Sequence, residues 1–287
     1  MAKPTIAIMY DFDKTLSTTD MQEYDFIKNL GVTPEEFWGK SQVLTDKNKV
    51  DRILAYMYIM KKECEEKNIP LTREYLNECG KNIILYKGVT TWFDRIAKFA
   101  DEIGCNVEHY IISSGITEII EGTDIAKYFK KIYGCNFLYG KDGQALWPAM
   151  AVNYTLKTQY IYRISKGVLD EIDDENLNAH TISKRIPFEN MIYIGDGSTD
   201  VPCMVLVKEN GGKAIALYQS GNKQKVLKLV EDNRINYVTV ADYREGSTLE
   251  KTVKLMLETI TLVSSLKDKE EKQINYFLKN NEVQNEN

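Results

Sequence analysis

Two pairs of aspartates attract attention because each pair directly follows a short apolar run. Asp11 and Asp13 follow the run TIAIMY, and Asp196 and Asp200 follow the run MIYI. Carboxylates this close together repel each other, and a bound cation or a shared proton relieves that repulsion. Taken singly, the first pair is also typical of a solvated turn, and the second of a strand-to-helix turn capped by aspartate. Taken together, they predict one oxygen-ligand site for Mg²⁺, built from two distant parts of the chain.

Such a site needs strands that end at one edge of a sheet. Short apolar runs rich in β-branched and aromatic residues are typical of strands buried on both faces of a parallel sheet. Four such runs occur, at residues 5–10, 107–112, 191–194 and 214–217. They alternate with segments of helix length, which predicts a doubly wound α/β fold with a mostly parallel sheet. Ligands of such folds bind beyond the carboxyl ends of the strands, where both acidic pairs lie.

The connection between the first two runs is unusually long. It spans roughly ninety residues, far more than a crossover between parallel strands needs. Helix signals recur within it, including Thr33, a capping residue that is followed by Pro34 and two glutamates. We therefore expect residues 17–86 to form a helical cap domain. Residues 1–16 and 87–287 would then form the core domain.

Three further segments carry structural signals. The run GKDG at 140–143 lies between two apolar stretches and predicts a hairpin turn. The polar segment 169–184 predicts an exposed excursion, and its relation to the site is left open. Residues 247–265 predict a terminal helix, after which the polar end of the chain is expected to fray.

Composition narrows the function class. The net charge is −5, and lysines and arginines are scattered, which argues against a nonspecific nucleic-acid binder. No run approaches the roughly 18–20 apolar residues needed to cross a bilayer, and the start of the chain does not resemble a signal peptide. Five cysteines without a CxxC pair are typical of reduced thiols. We expect a cytoplasmic protein with neither nucleic acid nor membrane as a partner, while its oligomeric state stays open.

Four segments in sequence order carry a family resemblance: DFDKTLS, IISSG, a later lysine and GDGSTD. They resemble the motifs of the haloacid dehalogenase superfamily, and the helical insertion resembles the cap of its phosphoserine phosphatase-like branch. The resemblance covers residues 5–217 and is specific for the superfamily, not for a substrate. It implies a Rossmann-like core, Mg²⁺ as cofactor and hydrolysis of a small-molecule phosphate monoester.

The resemblance also assigns roles to the aspartates. Asp11 would be the nucleophile that attacks phosphorus and becomes an aspartyl phosphate, and Asp13 would be the general acid and then the base. The dehalogenases lack this second aspartate, because a halide leaving group needs no proton. Phosphoryl chemistry is therefore favoured. Asp11, the backbone carbonyl of Asp13 and Asp196 would hold the metal, with Asp200 close by.

Phosphoryl-binding donors follow from the same resemblance. Ser113 would donate its hydroxyl to the phosphoryl oxygens, and the Ser114 N–H would add a donor in the turn that ends at Gly115. A helix N-cap is an equally sensible role for Ser113. Lys157 matches the lysine of the family, and Lys166 is its competitor.

Two residues of the insertion bear on the substrate. Asp20 lies seven residues beyond Asp13, where phosphoserine phosphatases carry a glutamate that meets an amino group. This position favours an amine-bearing ester, although Asp20 suits a helix N-cap equally well. Arg52 could bind a substrate carboxylate or form a surface salt bridge. Alternatives to hydrolysis are a phosphotransferase or phosphomutase with the same intermediate, and a catalytically silent binding protein.

Overall fold

One seven-stranded sheet organises the computed structural model, which describes residues 3–179 and 184–285. Its order is β4-β3-β2-β1-β5-β6-β7, and every neighbouring pair is parallel except β3 and β4. The strands are β1 (Thr5–Tyr10), β2 (Asn106–Ile116), β3 (Phe129–Tyr139), β4 (Ala145–Met150), β5 (Met191–Gly195), β6 (Lys213–Tyr218) and β7 (Tyr237–Val240). This architecture confirms the predicted fold class.

Strand β1 lies at the centre of the sheet, and its residues from Ile6 to Tyr10 are fully buried. It pairs with β2 on one side and with β5 on the other, so that Tyr10 lies between Ile111 and Ile194. Asp11 continues the pairing, because its N–H donates to the carbonyl of Ile194 at 3.0 Å. Both acidic pairs are thereby brought to the carboxyl edge of the sheet.

Eleven α-helices occur in the described ranges. They are α1 (Asp25–Leu30), α2 (Pro34–Asn48), α3 (Arg52–Glu66), α4 (Arg73–Gly80), α5 (Val89–Ile103), α6 (Thr117–Glu121), α7 (Lys157–Lys166), α8 (Asp174–Asn178), α9 (Val201–Glu209), α10 (Gln224–Glu231) and α11 (Thr248–Asn285). Short 3₁₀ turns add Met21–Glu23, Ala126–Tyr128, Phe188–Asn190 and Ser198–Asp200. Within the same ranges, every helix is too short or too polar to cross a membrane.

Helices α1 to α4 make up the insertion between β1 and α5. Two backbone hydrogen bonds hold its two ends side by side. The Thr18 N–H donates to the Ile84 carbonyl at 3.0 Å, and the Tyr86 N–H donates to the Leu16 carbonyl at 2.9 Å. These contacts fall at the limits expected from the sequence for residues 17–86. The division into two domains stays a prediction.

A close helix–helix contact fastens the insertion to the rest of the chain. A Cβ added at Gly80 of α4 would lie 2.1 Å from the Ile119 carbonyl oxygen, and one added at Gly122 would lie 1.9 Å from that of Asn77. Only glycine lets the two backbones come this close. The Ala145 N–H of the hairpin also donates to the carbonyl of Leu71, at 2.8 Å.

Some elements differ from the sequence-based expectation. The hairpin forms as predicted, with Tyr139 opposite Ala145. The terminal helix does not end near residue 265, since α11 continues to Asn285. The expected excursion contains α8 and is anchored by the buried guanidinium of Arg163, which donates to the carbonyls of Asp170 and Glu171 at 2.7 and 2.9 Å. Residues 180–183 of that excursion lie outside the described residues.

Candidate active site

Three buried carboxylates converge where β1 and β5 end. Asp11, Asp196 and Asp200 each place a carboxylate oxygen within 4.8 Å of the others. Gly195 makes this convergence possible, because a Cβ at that position would lie 2.4 Å from Oδ2 of Asp200. The carboxylates of Asp11 and Asp196 face a cavity of about 220 Å³, called the active-site cavity below. It is lined by Asp11, Asp13, Lys14, Asp20, Ser114, Lys157, Asp196, Gly197, Thr199 and Lys225.

A single buried cation lies among these carboxylates in the described part of the site. The Lys157 ammonium donates to Asp11 at 3.0 Å and to Asp200 at 2.8 Å, and its side chain is fully buried. Lys166, at the other end of α7, donates instead to the backbone carbonyl of Leu177 at 2.5 Å. The geometry therefore brings Lys157 to the cavity and leaves Lys166 outside it.

Burial and mutual repulsion shift the protonation of the acidic groups. Burial, followed by the charge of Asp200, raises the pKa of Asp11 to about 7. Burial and Asp200 also raise the pKa of Asp196. Burial opposes the charged form of Lys157, but the carboxylates of Asp11 and Asp200 outweigh it and raise the pKa of that ammonium. The excess of carboxylate over lysine is the donor set that a divalent cation prefers, so these residues fit Mg²⁺.

Asp13 differs from its neighbours in its contacts. Its Oδ1 accepts a hydrogen bond from the Met21 N–H at 2.7 Å, at the first turn of the insertion. Burial, the charge of Asp20 and the charge of Asp11 raise the pKa of Asp13 well above its ordinary value. A raised pKa favours the protonated carboxyl, which is the form that can give a proton to a leaving group.

The two adjacent serines occupy different environments. Ser113 is fully buried, and its Oγ accepts a hydrogen bond from the Gly115 N–H at 3.0 Å. Ser114 lines the active-site cavity, and its Oγ is buried without a hydrogen-bond partner in the described chain. The sequence-based expectation favoured the hydroxyl of Ser113, whereas it is Ser114 that lines the cavity.

The two insertion residues considered for the substrate also differ. Asp20 lines the cavity and forms an ion pair with Lys14, and its side chain makes no cap hydrogen bond to the following turn. Arg52 is exposed at the first turn of α3 and is not among the cavity-lining residues. The structure does not bring Arg52 to the cavity, so its contact with a substrate carboxylate stays a prediction.

Two lysines of the cavity escaped sequence analysis. Lys225, in α10, pairs with Asp196, and Lys14 adopts a left-handed backbone with φ of +57°. Their side chains are partly exposed, 41% for Lys225 and 36% for Lys14. Lysines of this kind are abundant on surfaces, and only the position of Lys14 next to Asp13 could have drawn attention to it.

A larger cavity of about 420 Å³ lies between α3 and the β3–β4 hairpin. Its lining includes Met57 and Trp147 and is apolar apart from Lys61. It offers no carboxylate to a metal and no set of donors to a phosphoryl group. The smaller active-site cavity is therefore the candidate for phosphoryl chemistry.

Comparisons with known proteins place this geometry in a fold family. No protein-family model matches the chain. A protein of Borreliella burgdorferi, described only as uncharacterized, is 26% identical over 275 residues, which cover 85% of this chain and 93% of that protein. A haloacid dehalogenase family hydrolase from Salmonella enterica serovar Typhi superimposes with a TM-score of 0.54 at 17% identity, over 83% of this chain and 68% of that one.

Phosphoserine phosphatases give similar matches. One, solved as a phospho-aspartyl intermediate analogue, has a TM-score of 0.52 at 16% identity over 88% of this chain and 99% of its own. A probable phosphoserine phosphatase from Vibrio cholerae has a TM-score of 0.56 at 13% identity, over 93% of this chain and 67% of that one. The chain thus shares the fold of these haloacid dehalogenase family and phosphoserine phosphatase structures, which confirms the expected fold.

Proposed function

We propose that this chain is a Mg²⁺-dependent phosphohydrolase that cleaves a small-molecule phosphate monoester through an aspartyl phosphate on Asp11. One observation carries the proposal: the Asp11 carboxylate shares a small cavity with Lys157 and with a second carboxyl, that of Asp13. A nucleophile, a cation and a proton donor within one cavity are the groups that phosphoryl transfer requires. The cysteine composition favours a cytoplasmic location for this activity.

In this proposal Asp11 attacks phosphorus with one carboxylate oxygen. Its contact with Lys157 holds the carboxylate in place, and the same ammonium would neutralise charge on the phosphoryl oxygens. The carboxylates of Asp11 and Asp196 and the backbone carbonyl of Asp13 would hold Mg²⁺. The ion would supply positive charge to the phosphoryl group.

Asp13 would handle the proton in both halves of the reaction. Its raised pKa favours the protonated carboxyl, which can give its proton to the leaving oxygen. The carboxylate left behind can then take a proton from the water that attacks the aspartyl phosphate. The hydrogen bond from the Met21 N–H fixes one oxygen of Asp13 and leaves the other for this exchange.

The finer substrate proposal is an ester whose alcohol part carries an amine. Its support is that Asp20 lines the cavity and already holds an ammonium, that of Lys14. A substrate amine would replace Lys14 on that carboxylate. Asp20→Asn should then lower kcat/KM for amine-bearing esters and spare amine-free esters of similar size. Equal losses for both ester classes would contradict the amine assignment and leave the hydrolytic mechanism in place.

The experiment for the function is phosphate release from a panel of phosphate monoesters, with Mg²⁺ or with EDTA. Release should need the metal and should disappear in Asp11→Asn, whose amide is a poor nucleophile. Asp94→Asn is a matched control, since Asp94 is exposed on α5 and accepts a hydrogen bond from Tyr128. Release that survives Asp11→Asn, or no release from any ester, would contradict the proposal.

A further inference from the structure

A hydrogen bond connects the insertion to the phosphoryl-binding turn. The Tyr56 hydroxyl, from the middle of α3, donates to the Ser114 backbone carbonyl at 2.7 Å. Ser114 is the cavity residue whose buried hydroxyl has no partner in the described chain. An unpaired buried hydroxyl is costly, and a ligand that accepts its hydrogen bond removes that cost. The side chain that meets the ligand is therefore oriented in part from α3.

The Tyr56 side chain is itself held firmly. It is 5% exposed, and its ring meets the Trp38 ring edge-on with centroids 6.0 Å apart. The Trp38 indole donates to Glu23 at 3.0 Å, which ties this aromatic pair to the first turn of the insertion. Burial raises the pKa of the Tyr56 hydroxyl well above its ordinary value, so the donor persists at the pH of ordinary assays.

The Ser114 carbonyl has a second donor, from the sheet. The Cys135 thiol, in β3, approaches the same oxygen at 3.3 Å, and its sulfur accepts from the Val152 N–H at 3.2 Å. A thiol is a weak donor compared with a phenol. At the other end of the same peptide unit, the Gly115 N–H donates to Ser113 at 3.0 Å. The strong donor to this carbonyl therefore comes from the insertion.

We propose that Tyr56 is a positioning residue, an inference that rests on the proposed function. Through its hydrogen bond, the orientation of Ser114 depends on how α3 packs against the core. With the Tyr56 hydrogen bond in place, both ends of the Ser114–Gly115 peptide unit are hydrogen-bonded and Ser114 is held at the cavity. Without the Tyr56 donor, the carbonyl keeps only the thiol and the peptide can rotate. Phosphoryl binding would then weaken.

The test compares Tyr56→Phe with wild type, because this change keeps the ring and removes only the hydroxyl. The affinity for inorganic phosphate in the presence of Mg²⁺, measured by calorimetry, should fall about tenfold, as expected for one lost hydrogen bond. A loss of kcat of similar size should accompany it, with the Mg²⁺ affinity unchanged. Tyr58→Phe is the matched control, since Tyr58 is on the same helix and half-exposed.

A double-mutant cycle with Ser114→Ala separates positioning from a general structural effect. If Tyr56 acts through Ser114, the double variant should lose little more phosphate affinity than Ser114→Ala alone. Additive losses, or wild-type affinity in Tyr56→Phe, would overturn the coupling.

The two proposals fail in different ways. A wild type that binds phosphate but releases none would refute the hydrolase and still allow the cycle to be measured. If the wild type releases phosphate and the Tyr56→Phe variant binds phosphate equally tightly, only the coupling is refuted. A wild type that neither binds nor releases phosphate would refute both.

Discussion

Replacing Lys157 by methionine should destabilise the metal-free protein severely at alkaline pH. The ammonium is fully buried and lies 3.0 Å from Asp11 and 2.8 Å from Asp200, so its loss leaves two buried carboxylates without a counter-charge. Removing one partner of a buried ion pair costs about 3–5 kcal/mol. That is a large part of the roughly 5–15 kcal/mol by which domains are stable. A fall in Tm of roughly 10 °C follows for a chain of this size.

The penalty of Lys157→Met should depend on pH and on metal. The folded protein can relieve the repulsion by binding a proton at Asp11, whose pKa is already raised to about 7, so the penalty should shrink at acidic pH. Mg²⁺ should restore part of the stability at alkaline pH by supplying positive charge. Urea unfolding followed by circular dichroism, in EDTA and in Mg²⁺, measures both effects.

Lys166→Met is the control for that experiment. Lys166 lies on the same helix but donates only to backbone carbonyls outside the cavity. It should lose little stability, show no dependence on Mg²⁺ and keep phosphate release, whereas Lys157→Met should lose release. The reasoning would be refuted if the two variants were equally stable in EDTA at alkaline pH.

Other predictions concern the metal and the close backbone contacts. Mg²⁺ binds the ionised form of Asp11, whose pKa is about 7. The affinity of the protein for Mg²⁺, measured by calorimetry, should therefore be higher one pH unit above that pKa than one unit below it. The pKa of Asp11 is higher in the folded protein, at about 7, than its ordinary value of 3.8. The folded state therefore binds this proton more tightly, and the stability of the metal-free protein against urea should fall as the pH rises from about 3.8 to about 7. Gly195→Ala places a Cβ 2.4 Å from Oδ2 of Asp200, so Mg²⁺ affinity should drop; unchanged affinity would contradict that crowding. Gly122→Ala places a Cβ 1.9 Å from the Asn77 carbonyl oxygen. The free energy of unfolding in urea should therefore fall by about 1–3 kcal/mol, while the Mg²⁺ affinity stays unchanged.

The central strands and the acidic pairs could be predicted because burial on two faces leaves a clear sequence pattern. The run at β1 is apolar almost throughout, and the recurrence of an acidic pair after a second such run points to one shared site. The search for short apolar runs did not detect strands β3 and β7. In β7, Tyr237 and Val238 are exposed, and two adjacent lysines follow the first residue of β3, so neither strand has the pattern of a buried run.

Side-chain direction was the part that the sequence could not provide. Arg52 and Tyr56 lie one turn apart on α3, yet Arg52 faces solvent and Tyr56 reaches Ser114. Helical periodicity places both residues on one face but does not say which part of that face meets the core domain. The pairing of Lys225 with Asp196 likewise depends on how α10 packs beside β5, which no local pattern encodes.

Capture of the covalent intermediate tests the central claim most directly. The protein would be mixed with Mg²⁺ and an excess of a cleavable monoester, quenched in acid within a turnover, digested and analysed by mass spectrometry. The account predicts one added phosphoryl group on the peptide that contains Asp11, labile in base and absent in Asp11→Asn. Rapid phosphate release without that modification, or with the phosphoryl group on another residue, would contradict it.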